Sequence, residues 1–177
     1  MGLTVSAQKK YATYQGADNS TYSLSVVVEG DSKGQVYMDI KDDGDSSMGF
    51  KTEKDVDAFL TFLSQSKAKY AEWSKTAIEN DVTDVTKEIT TAQVGNSIAF
   101  HYGSWHFSFG KHGVTSYFLM FKGKPYMSVM FPKVQASDNK YIDQESVQVI
   151  FTNTDQIDAL AAAISRENID AFIADID

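Results

Sequence analysis

All three histidines of the 177-residue chain, His101, His106 and His112, fall in one stretch, SIAFHYGSWHFSFGKH, with Trp105 and three phenylalanines. Gly103 and Ser104 suit a two-residue II′ turn, which pairs Tyr102 with Trp105, His101 with His106 and Phe100 with Phe107. Alternation along the strands then gathers Phe100, Tyr102, Trp105 and Phe107 on one side and the two histidines on the other. Facing histidines have Cβ atoms about 5 Å apart, within reach of a shared metal ion. Two ligands are too few for a structural zinc, and no carboxylate lies near His112 in sequence. His101 and His106 are therefore weak metal candidates, and the expectation is neither a metal nor a cofactor.

Covalent and acid–base chemistry has less to work with. No Gly-x-Ser-x-Gly elbow, paired carboxylates or His-Glu motif accompanies the histidines, and Ser104 reads as a turn serine. Cysteine is absent, which removes thiolate nucleophiles, thiolate metal sites and disulfides together. DIKDDGDSS (Asp39 to Ser47) clusters aspartates around Gly44 but lacks the ligand spacing of an EF-hand, so it reads as an acidic turn. GVTSYFLMFKGK leads into a strand rather than a helix, unlike a phosphate-binding loop. The chain is expected not to be an enzyme.

The composition, 42% hydrophobic and 23% charged, is that of a globular protein. No run is long and apolar enough for a membrane span, and MGLTVSAQKK lacks the apolar core of a secretory signal. The expected location is the cytoplasm, unless a leader has been removed. The net charge of −8 is unevenly spread. Residues 1–90 carry 15 acids and 10 bases, and residues 154–177 carry six acids and Arg166 alone. Residues 91–153 invert this with five lysines against three acids, and they hold 12 of the 22 aromatic residues. A mildly basic, aromatic region thus lies between acidic ones, where a nucleic-acid or protein partner would be met.

The elements that must position these residues show a repeated pattern. GFKTEKDVDAFLTFL (Gly49 to Leu63) and IFTNTDQIDALAAAI (Ile150 to Ile164) align at an offset of 101 residues. Each reads as a strand end, a polar cap at Thr52 or at Asn153 or Thr154, and an amphipathic helix. Val56, Phe59, Leu60 and Leu63 follow helical spacing, as do Ile157, Leu160, Ala161 and Ile164. Upstream of each stand paired alternating segments, TYSLSVVVEG with QVYMDI, and TSYFLMFKG with PYMSVMF. Weaker strand signals precede them: LTVSA and KYATY in the first half, TAQV, SIAFHY and WHFSF in the second.

The expected fold is α+β, with two pseudo-repeats of about four antiparallel strands plus one amphipathic helix. The first spans residues 1–76 and the second 91–177, with a part-helical connector at 77–90, all in one compact domain. In the first sheet Leu24, Val26, Val28, Val36, Met38 and Ile40 should face inward, leaving a polar outer face that water can cover. A turn at Gly123 and Lys124 would put Phe118, Met120, Met127 and Val129 on one face of the second sheet. Tyr117, Leu119, Phe121, Tyr126, Ser128 and Met130 then lie on the other, so this sheet is apolar on both sides. ASDNKYIDQES, with Tyr141, reads equally as a partner-contacting loop or as ordinary surface variation, and ENIDAFIADID as a last helical turn or, less often, a tail that docks on another protein.

Strand, strand, helix in QVYMDI…MGFKTEKDVDAFLTFL, repeated, resembles the element order of the single-stranded-DNA-binding coactivator, Whirly and Pur-repeat group. That resemblance implies paired β-β-β-β-α units whose curved sheets bind single-stranded nucleic acid. The functional expectation is a non-enzymatic binding module. Lys122, Lys124 and Lys133 would meet phosphates while Tyr102, Trp105, Tyr117 and Tyr126 stack on bases. The alternative is a protein-binding or assembly protein whose apolar second sheet is covered by a homodimer or another partner.

Overall fold

The longest element shows how local chemistry sets the frame. In the computed structural model, which describes residues 7–177, helix α1 runs from Glu53 to Glu79 and opens with a capping box. The Thr52 hydroxyl accepts from the Asp55 amide, and the Asp55 carboxylate accepts in return from the Thr52 amide. Val56, Phe59, Phe62 and Leu63 are buried on its first half, and Ser66, Tyr70 and Ala77 farther on. Leu60 is only half-buried, and Phe62 takes the place expected for it.

Twelve strands accompany the helix among the described residues. β1 (Gln8–Gln15), β2 (Thr21–Val27), β3 (Val36–Asp39) and β4 (Ser46–Phe50) precede it, and β5 (Val85–Val94), β6 (Ser97–Tyr102) and β7 (Ser104–Phe109) follow. Next come β8 (His112–Phe121), β9 (Lys124–Phe131), β10 (Val134–Ala136), β11 (Asn139–Gln144) and β12 (Val147–Phe151). Two helices close the order, α2 (Thr154–Ala163) and α3 (Arg166–Ile176). The fold is α+β, and every pairing is antiparallel. One sheet has the order β1-β2-β3-β4-β6-β7 and the other β12-β9-β8-β5, while β10 and β11 form a separate hairpin.

Several boundaries differ from the sequence reading, each for a tertiary reason. SIAFHY and WHFSF do not complete the second sheet: β6 pairs along β4, with Ser46 opposite Phe100 and Met48 opposite Ile98, and so extends the first. The part-helical connector expected at 77–90 holds the end of α1, to Glu79, and the start of β5, whose first four residues are exposed. The C-terminal segment is a separate helix, because Ser165 breaks away after α2 and caps α3 through the Asn168 amide. Ile169 is then fully buried, and Phe172 meets Tyr11 with ring centroids 5.8 Å apart. ASDNKYIDQES is mostly hairpin β10–β11 rather than loop, and Gln144 donates from it to the Ser46 hydroxyl. The strand expected at LTVSA lies almost wholly outside the described residues.

The inward faces agree with the alternation. Leu24 faces Met38 and Val26 faces Val36 across β2 and β3, all buried. Phe118 faces Met127 across β8 and β9, with Met120 and Val129 on the same buried side. The turn between β8 and β9 is one residue earlier than expected, at Lys122 and Gly123, both with positive φ as a type I′ turn requires. That shift moves the pairing by two residues and leaves the faces unchanged. The outer face of the first sheet is less polar than its alternation suggests, because Tyr37 and Val27 are buried on it.

Both inner faces and the helices share one buried cluster. Phe59 of α1 packs on Phe50 of the first sheet at 5.3 Å, and Tyr70 on Phe118 of the second at 6.3 Å. The Tyr70 hydroxyl donates to the carbonyls of Pro125 and Thr152 and so holds α1 to the ends of β9 and β12. Close approach of the two sheets depends on Gly16, where a Cβ would stand 2.7 Å from the Ile150 carbonyl oxygen.

Candidate binding surface

The histidine stretch forms a hairpin in a register one residue from that expected. His101 stands opposite Trp105, Phe100 opposite His106 and Ala99 opposite Phe107, with Gly103 alone at positive φ between Tyr102 and Ser104. The far end of the hairpin secures this register, since Gly110 donates to the Asn96 carbonyl. It also reconciles the hairpin with the sheet: Phe100 and Ile98 go inward beside Ser46 and Met48.

The consequence is a re-sorting of side chains. Phe100 is core, and Tyr102, 69% exposed, stands at the tip on the inward-facing parity. Trp105, Phe107 and Phe109 occupy alternate positions of edge strand β7 and therefore share the outer face, successive residues about 6.7 Å apart along it. Trp105 is 50% and Phe109 68% exposed, with Phe107 half-buried between them. The Phe107 and Phe109 rings lie 5.8 Å apart and nearly parallel, while His101 meets Trp105 edge-on at 5.5 Å.

Small residues form the ground beside this row. Ser97 and Ala99 of β6 lie opposite Phe109 and Phe107, with Gly49 and Ser47 beyond them on β4. At Gly49 a Cβ would stand 2.6 Å from the Ser97 hydroxyl and 3.1 Å from the Tyr37 ring, so only glycine admits that ring. Hairpin β10–β11 is pinned to the edge: Ser137 donates its amide to the Phe107 carbonyl, and its hydroxyl accepts from the Phe109 amide. It carries Tyr141, exposed beside Lys140.

The histidines do not form the expected pair. His101 lies on the outer face and His106 on the inner, because residues opposite one another, not their neighbours, share a face. His106 Nε2 is 3.1 Å from the Tyr102 carbonyl oxygen and 3.4 Å from the Ser104 hydroxyl. His112 is buried at the start of β8 with Nε2 3.1 Å from the Ser108 hydroxyl, and burial holds it below the usual imidazole range. Ser108 and His112 have the spacing of a nucleophile and base, but the ring's further hydrogen bond is to the Gly110 backbone rather than to a carboxylate. Among the described residues, no three histidine or carboxylate side chains converge as metal ligands.

The acidic turn is organised by its own backbone. Asp45 donates its amide to the Asp43 carboxylate, and Gly44 has positive φ. At its base Asp39 accepts from the Ser47 hydroxyl at 2.8 Å, and burial raises the Asp39 carboxyl above its ordinary value.

The other residues expected in a binding site lie on the second sheet. Tyr117 stands opposite Ser128 and Tyr126 opposite Leu119 on its outer face. Tyr117, Leu119, Met130 and the buried Ser128 line a shallow groove of about 180 Å³ with Thr86 and Gln148. Lys122 is in the turn, its ammonium 5.2 Å from the Phe121 ring, and Lys124 begins β9. Lys133 is committed elsewhere, 2.9 Å from Glu145 and 3.5 Å from Asp143, and these carboxylates raise its ammonium above the ordinary value. The expected constellation is thus divided: Tyr102 and Trp105 on the first sheet, Tyr117, Tyr126, Lys122 and Lys124 on the second. The aromatic row of β7 is legible in the alternation of WHFSF, which puts Phe109 beside Trp105 and Phe107 in either register; the register decides only which β6 residues stand opposite them.

Comparison with known proteins finds no matching family model, no matching curated protein and no matching solved structure.

Proposed function

We propose that this protein is a non-enzymatic binding module that docks another polypeptide, a second copy of itself included, against the aromatic face of β7. The observation that carries this reading is the row Trp105, Phe107 and Phe109 on the solvent side of an edge strand. Large aromatic side chains contribute much contact area for little rotamer entropy, and they are enriched at the centres of protein interfaces. Charge supports a polypeptide over a polynucleotide. A phosphate backbone calls for clustered cations, whereas Lys133 is spent on two carboxylates and the chain carries −8.

Single-stranded nucleic acid is the second reading, favoured by Lys122 and Lys124 beside Tyr117 and Tyr126 on one sheet face. Two measurements separate the two. Sedimentation velocity over a concentration series should show association that Phe109→Ser abolishes, and the anisotropy of fluorescein-labelled oligo-dT should stay flat on adding protein. A monomer at every concentration, with a salt-sensitive rise in oligo-dT anisotropy, would overturn the protein-docking reading.

A further inference from the structure

Away from that face, the C-terminal half of α1 and the edge of the second sheet enclose a cleft. Trp73 and Ala77 of the helix face Val82, Val85 and Lys87 across it, with Phe118 at the bottom. Its volume of about 390 Å³ lies in the range of small-molecule sites, roughly 300–1,000 Å³, which are mostly apolar with a few placed polar groups. Phe118 is almost fully buried and meets Trp73 edge-on at 6.0 Å, so the apolar wall is held from behind. Ala77 leaves the space open where a larger side chain would fill it.

Two polar side chains at the rim are hydrogen-bonded within the helix. The Thr76 hydroxyl donates to the Glu72 carbonyl, and the Asn80 amide donates to the Thr76 carbonyl. Lys87 stands opposite Phe118, on the helix side of β5, and its ammonium lies 4.0 Å from the centroid of the Trp73 ring. It forms no ion pair among the described residues. Neighbouring carboxylates are turned to other tasks: Glu79 pairs with Lys75, Asp84 accepts from the Lys122 amide, and Glu88 is on the opposite face of the strand, across from Tyr117. An apolar cleft therefore ends in a cation that has no ion-pair partner among the described residues.

We propose that this cleft binds a small amphipathic monocarboxylate. Its alkyl or aryl body lies against Trp73, Ala77, Val85 and Phe118, and its carboxylate pairs with Lys87. Apolar burial supplies most of the affinity and the ion pair supplies selectivity for the anion. The site is separate from the aromatic face of β7, and either can fail without the other.

The test uses octanoate and 1-octanol as probes on the unaltered, ¹⁵N-labelled protein, followed by NMR. The chain has two tryptophans, and Trp73→Phe and Trp105→Phe assign their indole N–H signals. Octanoate should shift the Trp73 signal saturably and leave that of Trp105 in place. Lys87→Met keeps the stem over the ring and removes the charge, so it should weaken octanoate about three- to fivefold and leave octanol unchanged. Ala77→Leu, checked for folding by the spread of its amide signals, should abolish both responses; if it does not fold, Lys87→Met decides. A Trp73 signal that does not move, a shift confined to Trp105, or equal octanoate affinity in Lys87→Met would overturn the proposal.

Discussion

The hydroxyls of Ser66 and Ser116 meet at 2.7 Å, both fully buried, where the middle of α1 crosses β8. A polar pair in a buried interface favours one position of the helix along the strand, because a slip takes the Ser66 hydroxyl from its partner and leaves Ser116 only the Thr90 carbonyl, 3.5 Å away. Ser66→Ala and Ser116→Ala should each cost about 1–2 kcal/mol. The double variant should cost less than their sum by about 0.5–1 kcal/mol. Urea unfolding of the four proteins closes the cycle, and strict additivity would show that the hydroxyls act independently.

At the row on β7 proposed to dock a partner, folding and binding should separate. Trp105→Ser and Phe109→Ser should change stability by about 0.5 kcal/mol or less while removing self-association. Phe100→Ala, on the buried side of the same hairpin, should cost about 3–5 kcal/mol. Thermal melts beside sedimentation profiles test the contrast. A Phe109→Ser protein as unstable as Phe100→Ala would mean that the row is structural.

His112 makes stability depend on pH on the acid side of neutrality. Burial lowers its folded value below 6.5, so the unfolded chain binds the proton more readily. Its contribution is complete above 6.5 and is lost as pH falls from there through the folded value, where the loss levels off. Urea midpoints between pH 7.5 and 5 should decline for the parent protein and decline less for His112→Gln.

Asp39 acts with the opposite sign. Desolvation raises its folded value above 3.8, so the native state holds the proton more tightly, and stability from this group falls as pH rises through that interval. Asp39→Asn keeps a side-chain acceptor for Ser47 and removes the buried charge. It should raise the urea midpoint at pH 7 and lose that advantage below pH 3.8. A lower midpoint at pH 7 would show that the Ser47 hydrogen bond to the ionised form outweighs desolvation.

Helices and sheet faces were legible wherever one chain segment decides them. Thr52 with Asp55 and Asn153 with Gln156 mark helix starts through contacts three residues apart. The alternation of Leu24 and Val26, or of Phe118 and Met120, shows which side is buried whatever the partner strand. Register and strand neighbours are different in kind. Gly103-Ser104 permitted a two-residue turn, but the Asn96 carbonyl and Ser137, at the far end of the hairpin, hold it one residue away. That single step sends His101 and His106 to opposite faces and puts Ala99 rather than Phe100 opposite Phe107. Likewise nothing within SIAFHY reveals that its neighbour is β4, and nothing local to Lys87 reveals that its ammonium reaches Trp73.

The pairing of β6 with β4 also sets a schedule for synthesis. Ser97 follows Phe50 by 47 residues, so at about 5–20 residues per second β4 waits roughly 2–9 seconds on the ribosome for its neighbour. Through that interval Met48 and Phe50 sit on an open strand edge that any other nascent chain can template. Slowing translation between residues 50 and 97 should therefore lower soluble yield, and a chaperone that shields strand edges should restore it.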